Sequence, residues 1–402
     1  MAASTTAPAN SAPAPQRLTS LDAYRGFVMF LMMAEVLRFH AVSQALPGNG
    51  FWAFLAHHQS HVPWVGCTLH DLIQPSFSFI VGVALPFSIL ARQLKGQSNA
   101  RMTAHAFWRA LLLILLGVFL RSTGKPQTYW TFEDTLSQIG LGYGFLFLLG
   151  FRSVRAQWSA FAAILAGYWA LFAFYALPGP DFDWAAIGNP KDWPENLHGF
   201  AAHWNVNTNP AWKFDTWFLN LFPREKPFTA NGGGYSTLSF IPTLATMILG
   251  LIAGGVLKDD RTHKQKALWL LAAGIVALAS GWLLGKLGIC PVVKRIWTPS
   301  WVLFSGGWCL LLLAGFYAVI DIANIKSWSF PLRVIGMNSI AAYCIAETLR
   351  NFTMGTLKTH LGQDFFKFAG DAYEPFFLGA AVLLVWWLVL YWMYRRKIFL
   401  RI

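Results

Sequence analysis

A short segment of the chain places two histidines and an aspartate directly before an apolar run, since residues 61–87 read HVPWVGCTLHDLIQPSFSFIVGVALPF. The residues PWVG after His61 stiffen the turn and let the backbone approach another element closely. A neutral imidazole there is suited to take a proton from an amine or to carry an acyl group, although a loop histidine can also be merely solvated. Asp71 has two possible roles. Its carboxylate is either stabilised by the positive end of the next helix dipole, or it orients an imidazole, as in a catalytic triad. His70 adjoins Asp71 and is expected to point elsewhere on that helix.

The first apolar segment also carries ionisable residues. Residues 20–40 read SLDAYRGFVMFLMMAEVLRFH, and Glu35 interrupts an apolar run that is shorter than the roughly 17–25 residues that cross a bilayer. Ionisable groups inside spans are costly and by default mark a functional site. Asp22 and Arg25 are three residues apart and can pair on one helix face. A structural ion pair that fixes the start of the helix is the alternative interpretation.

Further polar residues lie in or beside later apolar segments. They could start helices or bond between helices, but together they suggest a polar cavity between the spans. These residues are Glu133, Asp134 and Gln138 near the fourth span, Lys294 and Arg295 before the eighth, and Asn338, Ser339 and Glu347 in the ninth.

The elements that must position these residues are membrane-spanning helices. The chain has 402 residues, of which 55% are hydrophobic and 12% are charged, well below the roughly 25% charged residues of soluble domains. Lipid offers no partner for free backbone groups, so continuous apolar runs must be helices, and we predict an all-α polytopic membrane protein. The predicted spans are about 22–39, 70–91, 106–121, 134–151, 158–177, 236–257, 267–288, 300–320, 331–350 and 375–395.

The basic residues predict the orientation of these spans. Net charge is +13, and the charges lie in loops, which disfavours a nucleic-acid partner. With a cytoplasmic N-terminus, the short inward connections hold Lys and Arg clusters such as Arg92, Lys95 and Arg101. This positive-inside pattern predicts that both termini are cytoplasmic, in the inner membrane of the cell, and that the basic rim contacts anionic lipids.

The chain divides into a tail and one large domain. Residues 1–16 are rich in Ala, Pro, Ser and Thr and are predicted to be a disordered tail, whereas residues 17–402 form the membrane domain. Residues 178–235 form a long, tryptophan-rich, non-cytoplasmic loop, which is either an interfacial cap or a lid for a sugar. The four cysteines show no metal or redox spacing, so we expect no metal.

The motifs resemble those of the heparan-α-glucosaminide N-acetyltransferase family, which comprises a lysosomal transmembrane enzyme and bacterial relatives. The resemblance runs in order from about residue 17 to 395. Its motifs are SLDAYRG at 20–26, HVPWVG at 61–66, DLIQPSFSFIVG at 71–82, FWRALLLILLGVFL at 107–120, TLSQIGLGYGF at 135–145, CPVVKRIWTPSWVLFSGG at 290–307 and GMNSIAAY at 336–343.

The resemblance implies a membrane acyltransferase that moves acetyl from cytoplasmic acetyl-CoA to the amine of a glucosamine-type sugar on the other side. The family's active histidine maps onto His61, with acetyl-histidine and ternary-complex mechanisms both open. Asp71 is the expected partner of an imidazole. Lysosomal members hold the donor with an asparagine near the end of the first span, where the nearby residue here is Glu35. We therefore expect the donor to pass between the first, second, fourth and ninth spans, in a cavity whose candidate contacts are Arg25, Glu35, Gln138, Asn338 and Ser339.

The acceptor and the partners are less constrained. The loop at 178–235 matches the family poorly, so the expected acceptor is an amino sugar or a glycan of the cell envelope. Two other functions compete with this one: O-acetylation of an envelope glycan, and a secondary transporter whose proton relay uses Glu35, Asp71 and Glu347. A homodimer also stays open.

Overall fold

The computed structural model describes residues 18–400, and the predicted disordered tail at 1–16 lies outside them. The described chain is all-helical, which confirms the predicted fold class, and its extended pairing is a single bridge between Val65 and Val293. The helices are α1 (Thr19–Met33), α2 (Phe39–Ala45), α3 (Gly50–His58), α4 (Ile73–Gln93), α5 (Asn99–Ser122), α6 (Thr135–Leu149), α7 (Val154–Ala173), α8 (Pro210–Phe218), α9 (Phe240–Lys258), α10 (His263–Lys286), α11 (Pro299–Phe316), α12 (Phe330–Met337), α13 (Ser339–Thr348), α14 (Arg350–Leu361) and α15 (Glu374–Arg395).

Within residues 18–400, eight helical segments are long and apolar enough to cross a membrane. They correspond to eight of the predicted spans, so the protein is multi-pass. The other two predicted spans form shorter helices. The fourth is α6, with 15 residues, and the ninth is divided into α12 and α13 at Asn338, whose φ of −126° and ψ of 40° interrupt the helix.

The first span is also interrupted. Helix α1 ends at Met33, and Ala34–Leu37 form a tight 3-10 turn that ends at Arg38 in the left-handed region, with φ of 50°. Glu35 therefore lies on this turn and not within a regular helix. The turn explains how a segment with so few consecutive apolar residues can hold an ionisable group.

Glycines let the central helices touch backbone to backbone. A Cβ atom on Gly82 of α4 would lie 1.9 Å from the Met247 carbonyl oxygen of α9, and one on Gly250 would lie 2.0 Å from the Phe79 carbonyl oxygen. Small residues at helix contacts are characteristic of membrane bundles, because lipid supplies no hydrophobic force between helices and van der Waals packing must do so. Helix α9 is almost entirely buried and forms the centre of the bundle.

The connection from α7 to α9 covers one end of the bundle. Some of its aromatic side chains build a second apolar cluster, in which Trp204 packs with Trp64, Phe172 and Val293, whereas Phe200 and Trp217 remain exposed. Helix α8 within this connection is tied down by Asp215, whose carboxylate accepts a 2.9 Å hydrogen bond from the Thr237 amide. The tryptophan-rich segment is thus packed onto the starts of α4, α9 and α11.

We expect Gly250→Val to destabilise the bundle, because the new side chain would force α4 and α9 apart, and overpacking of this kind costs about 1–3 kcal/mol or more. The measurement is the apparent melting temperature of the purified protein in detergent, which should fall by several degrees. The matched control is Gly255→Val on the same helix, where no atom lies within 4 Å of the new Cβ. Equal melting temperatures of the two variants would contradict this packing.

Candidate active site

The loop that carries His61 is fixed to the segment before α11. The Gly66 amide donates a 3.0 Å hydrogen bond to the Val292 carbonyl, and Val65 forms an antiparallel bridge with Val293. Gly66 has φ of +123°, a conformation that side-chain-bearing residues rarely adopt. The glycine of the HVPWVG motif is therefore required by backbone geometry.

The tryptophan of the same motif ties the loop to the cap. Trp64 is fully buried, and its Nε1 donates a 3.0 Å hydrogen bond to the Trp204 carbonyl. Arg295 holds the loop from another side, since its guanidinium donates to the Val62 carbonyl at 3.2 Å and to the Gly233 carbonyl at 2.9 Å. The loop is thus anchored at both ends of the PWVG turn.

Asp71 lies beneath this loop, on the 3-10 turn His70–Leu72 that leads into α4. Its side chain is 1% exposed, and Oδ1 lies 2.7 Å from Nδ1 of His61. Oδ2 accepts hydrogen bonds from the Thr68 amide and hydroxyl at 3.0 Å each and from the Val62 amide at 3.3 Å. Both oxygens of the carboxylate are therefore engaged, Oδ1 by the imidazole and Oδ2 by the loop.

This contact determines which nitrogen of His61 can react. An ionised carboxylate only accepts hydrogen bonds, so Nδ1 of His61 carries the proton and Nε2 keeps its lone pair. The side chain remains 36% exposed, so small molecules can reach Nε2. Burial lowers the pKa of His61 below its usual value, although the hydrogen bond that His61 donates to Asp71 acts in the opposite direction. The imidazole is therefore neutral near pH 7 and can act as a base or a nucleophile.

Lys294 completes this cluster. Its Nζ lies 3.3 Å from Oδ1 of Asp71 and 3.2 Å from Nδ1 of His61, and its side chain is 6% exposed. Burial lowers the pKa of Lys294, an effect that the attraction of Asp71 opposes. Lys294 is one of the polar residues predicted before the eighth span, but its position in the sequence does not predict that it meets His61. The two segments meet through the bridge between Val65 and Val293 and the hydrogen bonds around it, which join parts of the chain that are far apart in sequence.

His70 lies on the other side of His61. The sequence pattern directs it elsewhere on the helix, but the loop crosses the start of α4, and the two imidazole ring centroids lie 4.6 Å apart. Nε2 of His70 is 3.3 Å from Oε1 of Glu35, on the turn that ends the first span. Two carboxylate–imidazole pairs, His61–Asp71 and His70–Glu35, are thus side by side.

A cavity of about 820 Å³ runs between α1, α4, α5, α6 and the α12–α13 junction. Its walls are largely apolar, and Arg25 and Ser339, both predicted donor contacts, line it. One end is strongly basic, because the end of α4 and the start of α5 place there Arg92, Lys95, Arg101, His105 and Arg109. On the predicted topology this end faces the cytoplasm.

His61 and Asp71 do not line this cavity, whereas a polar residue of its wall interacts with Glu35 beside the histidines. Tyr343 lines the cavity and interacts electrostatically with Glu35, which pairs with His70. His70 in turn contacts His61. Glu35 is therefore within electrostatic range of the cavity wall at Tyr343 and in contact with the histidine pair.

Two of the predicted donor contacts have other partners. Gln138 donates to the Phe132 carbonyl at 2.6 Å and to the Thr237 carbonyl at 3.2 Å, which joins the turns before α6 and α9. Asn338 is fully buried, donates to the Ile398 carbonyl at 2.9 Å and accepts from the Leu400 amide at 3.1 Å. This geometry favours a structural role for both amides, whereas Ser339 remains at the cavity wall.

We expect Trp64→Phe to loosen the loop that carries His61, because the buried Trp204 carbonyl would lose its donor at a cost of about 1–3 kcal/mol. Amide hydrogen exchange, measured by mass spectrometry in detergent, should become about tenfold faster or more in residues 60–68 and 199–206. Trp212→Phe is the control, because that indole bonds the exposed Thr229 carbonyl in the same connection. Unchanged exchange in Trp64→Phe would show that the cap does not hold the loop.

Comparison with known proteins relates the chain to two mammalian enzymes. It is similar to heparan-alpha-glucosaminide N-acetyltransferase of Homo sapiens, with 23% identity over 431 residues, which cover 96% of this chain and 60% of that protein. The protein of the same name from Mus musculus is 23% identical over 424 residues, with the same coverage. The chain thus spans 60% of the length of these curated relatives, and no family model matches it. The chain is a distant relative of the heparan-α-glucosaminide N-acetyltransferases, the family that its motifs resemble.

Proposed function

We propose that this protein is a membrane acetyltransferase that moves acetyl from cytoplasmic acetyl-CoA to the amine of an amino sugar on the other side of the membrane. The observation that carries the proposal is the His61–Asp71 pair, with the Nδ1–Oδ1 contact at 2.7 Å and Nε2 available to a substrate. The names of the two mammalian relatives support the reaction class.

The cavity fits the donor in size and in charge. Coenzyme A carries its negative charges on phosphates at one end and an uncharged pantetheine arm with the thioester at the other. The basic end, with Arg92, Lys95 and Arg101, suits the phosphates, and the apolar walls suit the arm. Arg25 and Ser339 would contact the arm along its course, and Glu35 would lie near its reactive end.

His61 can perform the transfer in either of two ways. In the first, Nε2 attacks the thioester carbon, the C–S bond breaks, coenzyme A leaves as the thiolate, and the amine then takes the acetyl group from the imidazole. In the second, donor and acceptor bind together, Nε2 takes the proton of the amine as the amine attacks the thioester carbon, and the C–S bond breaks with release of coenzyme A as the thiolate. Both routes require a neutral imidazole, and in both Asp71 stabilises the positive charge that develops on the ring.

The surroundings of His61 favour an amine as the acceptor. Amino sugars are cations near neutral pH, and the carboxylate of Glu35 is 45% exposed next to His70. A carboxylate attracts an ammonium group, whereas it offers no such advantage to a sugar hydroxyl. We therefore propose N-acetylation of an amino sugar or of a glycan that carries one, rather than O-acetylation.

We expect His61→Ala to reduce acetyl transfer by at least about a hundredfold, because the variant lacks the group that accepts the acetyl or the proton. The assay uses the purified protein in nanodiscs, labelled acetyl-CoA and a panel of amino sugars. The control is His57→Ala on α3, which should retain activity within about threefold, since His57 is exposed and outside the Asp71 cluster.

Each other outcome has a distinct meaning. Transfer that survives in a folded His61→Ala protein would keep the enzyme but remove His61 from the chemistry. A product that hydroxylamine cleaves would be an ester and would favour O-acetylation. Absence of both transfer and acetyl-CoA binding in the wild type would overturn the acetyltransferase and favour a transporter.

We expect Arg101→Glu to raise the KM for acetyl-CoA by roughly three- to tenfold with little change in kcat, because the basic end of the cavity binds the phosphates. The KM for S-acetylpantetheine, which lacks those phosphates, should not change. Arg155→Glu is the matched control, since Arg155 is an exposed arginine at the start of α7 and does not line the cavity. Equal effects on both donors would place the phosphates elsewhere.

A further inference from the structure

Lys294 is a buried cation that the mechanism above leaves without a role. It lies between Asp71 and His61, and its neighbour Val293 forms the bridge that fixes the HVPWVG loop. Lysine is rarely buried to this extent unless it has a partner. Its position is also rigid, because the segment before α11 is held by the Thr298 side chain, which bonds the Val293 amide at 3.0 Å.

Lys294 contacts the imidazole on the side away from the reacting atom. Its Nζ is 3.2 Å from Nδ1, the nitrogen that already faces Asp71, whereas substrate would meet Nε2. Since Nδ1 carries a proton, Lys294 donates to Oδ1 of Asp71 rather than to the ring. Any influence of Lys294 on the reaction must therefore pass through Asp71 and His61.

Lys294 acts on His61 through the charge balance of the cluster. With Lys294 present, a neutral His61 leaves a balanced cluster of one cation and one anion. Without Lys294, the buried Asp71 would lack a countercharge, and protonation of His61 would supply it. An aspartate that faces a histidine alone thus favours the imidazolium, and the second cation reverses this preference.

The other groups that face His61 do not provide the same balance. His70 packs against the ring at a tilt, and the carboxylate that it contacts is that of Glu35 rather than that of Asp71. Arg295 binds backbone carbonyls of the loop and does not contact Asp71 among its described hydrogen bonds. Lys294 is therefore the cation that offsets Asp71 directly.

We propose that Lys294 is a positioning residue for acetyl transfer, which shares the Asp71 carboxylate with His61, fixes the orientation of the imidazole and keeps it neutral at the start of the cycle. The role in transfer rests on the proposed function, whereas the effect on the charge of His61 does not. Sequence elements that are far apart in the chain thus combine into a three-residue centre.

The test measures the protonation of His61 directly. Diethyl pyrocarbonate modifies neutral imidazole, so the rate of modification of the peptide containing His61, followed by mass spectrometry across pH, gives the midpoint of its titration. Loss of the Lys294 charge should move this midpoint up by about one pH unit or more, the usual effect of a charge within hydrogen-bond distance. The acid limb of kcat/KM, which falls as His61 becomes protonated, should move up by the same amount.

Three substitutions separate charge from structure. Lys294→Met removes the charge, and Lys294→Gln removes it while leaving a donor for Asp71, which keeps the test available if the methionine protein does not fold. Lys294→Arg keeps the charge and should keep the wild-type midpoint. The exposed His57 serves as the internal control, because its midpoint should not move in any of the variants.

The outcomes are distinct. The expected result is a higher titration midpoint of His61 in Lys294→Met or Lys294→Gln and an unchanged midpoint in Lys294→Arg. An unchanged midpoint in folded Met and Gln proteins, with activity reduced equally at all pH values, would overturn the proposal and leave Lys294 as a structural residue. If the wild type shows no acetyl transfer, the modification experiment still decides the effect on His61, and the proposed function alone fails.

Discussion

The buried carboxylate of Asp71 is the interaction on which the organisation of the site depends. It joins three parts of the chain: the HVPWVG loop through Val62 and Thr68, the imidazole of His61, and Lys294 from a segment 233 residues beyond His61. A buried carboxylate is tolerated only when its lone pairs and its charge are satisfied. Here the same contacts also fix the positions of the loop, the imidazole and Lys294. Removal of the Lys294 charge would leave the carboxylate without a countercharge unless His61 took up a proton, and removal of Asp71 would leave Lys294 buried and unpaired, at a cost of about 3–5 kcal/mol.

This arrangement requires that the starts of α4 and α11 keep a fixed position relative to each other. Close contact at Gly82 and Gly250 fixes α4 against α9, and the indole of Trp297 donates a buried 3.1 Å hydrogen bond to Thr246 of α9. The segments that carry Asp71 and Lys294 are thus both packed against the same central helix, α9. Distances between functional groups on different helices are then set by backbone packing and not by flexible side chains.

The spans and part of the site could be predicted from the sequence, whereas contacts between distant segments could not. Apolar runs predict the spans, and a local motif places His61 near Asp71, because both residues belong to one loop and helix start. Lys294 could not be assigned, since its partnership arises from a bridge between distant segments. Asn338 has the composition of a ligand-binding residue, but the C-terminal segment takes its amide, a contact that periodicity does not encode.

The histidine pair does not line the cavity, and the proposed donor explains why this separation is useful. Charged phosphates are costly to move into an apolar space, whereas an uncharged pantetheine arm is not. A basic mouth formed by residues such as Arg92 and Arg101, followed by apolar walls, therefore retains the nucleotide and admits the thioester. Glu35, which contacts His70, is within electrostatic range of Tyr343 on those walls. On the proposed function, acetyl can thus reach an acceptor on the far side without any charged group having to cross the membrane.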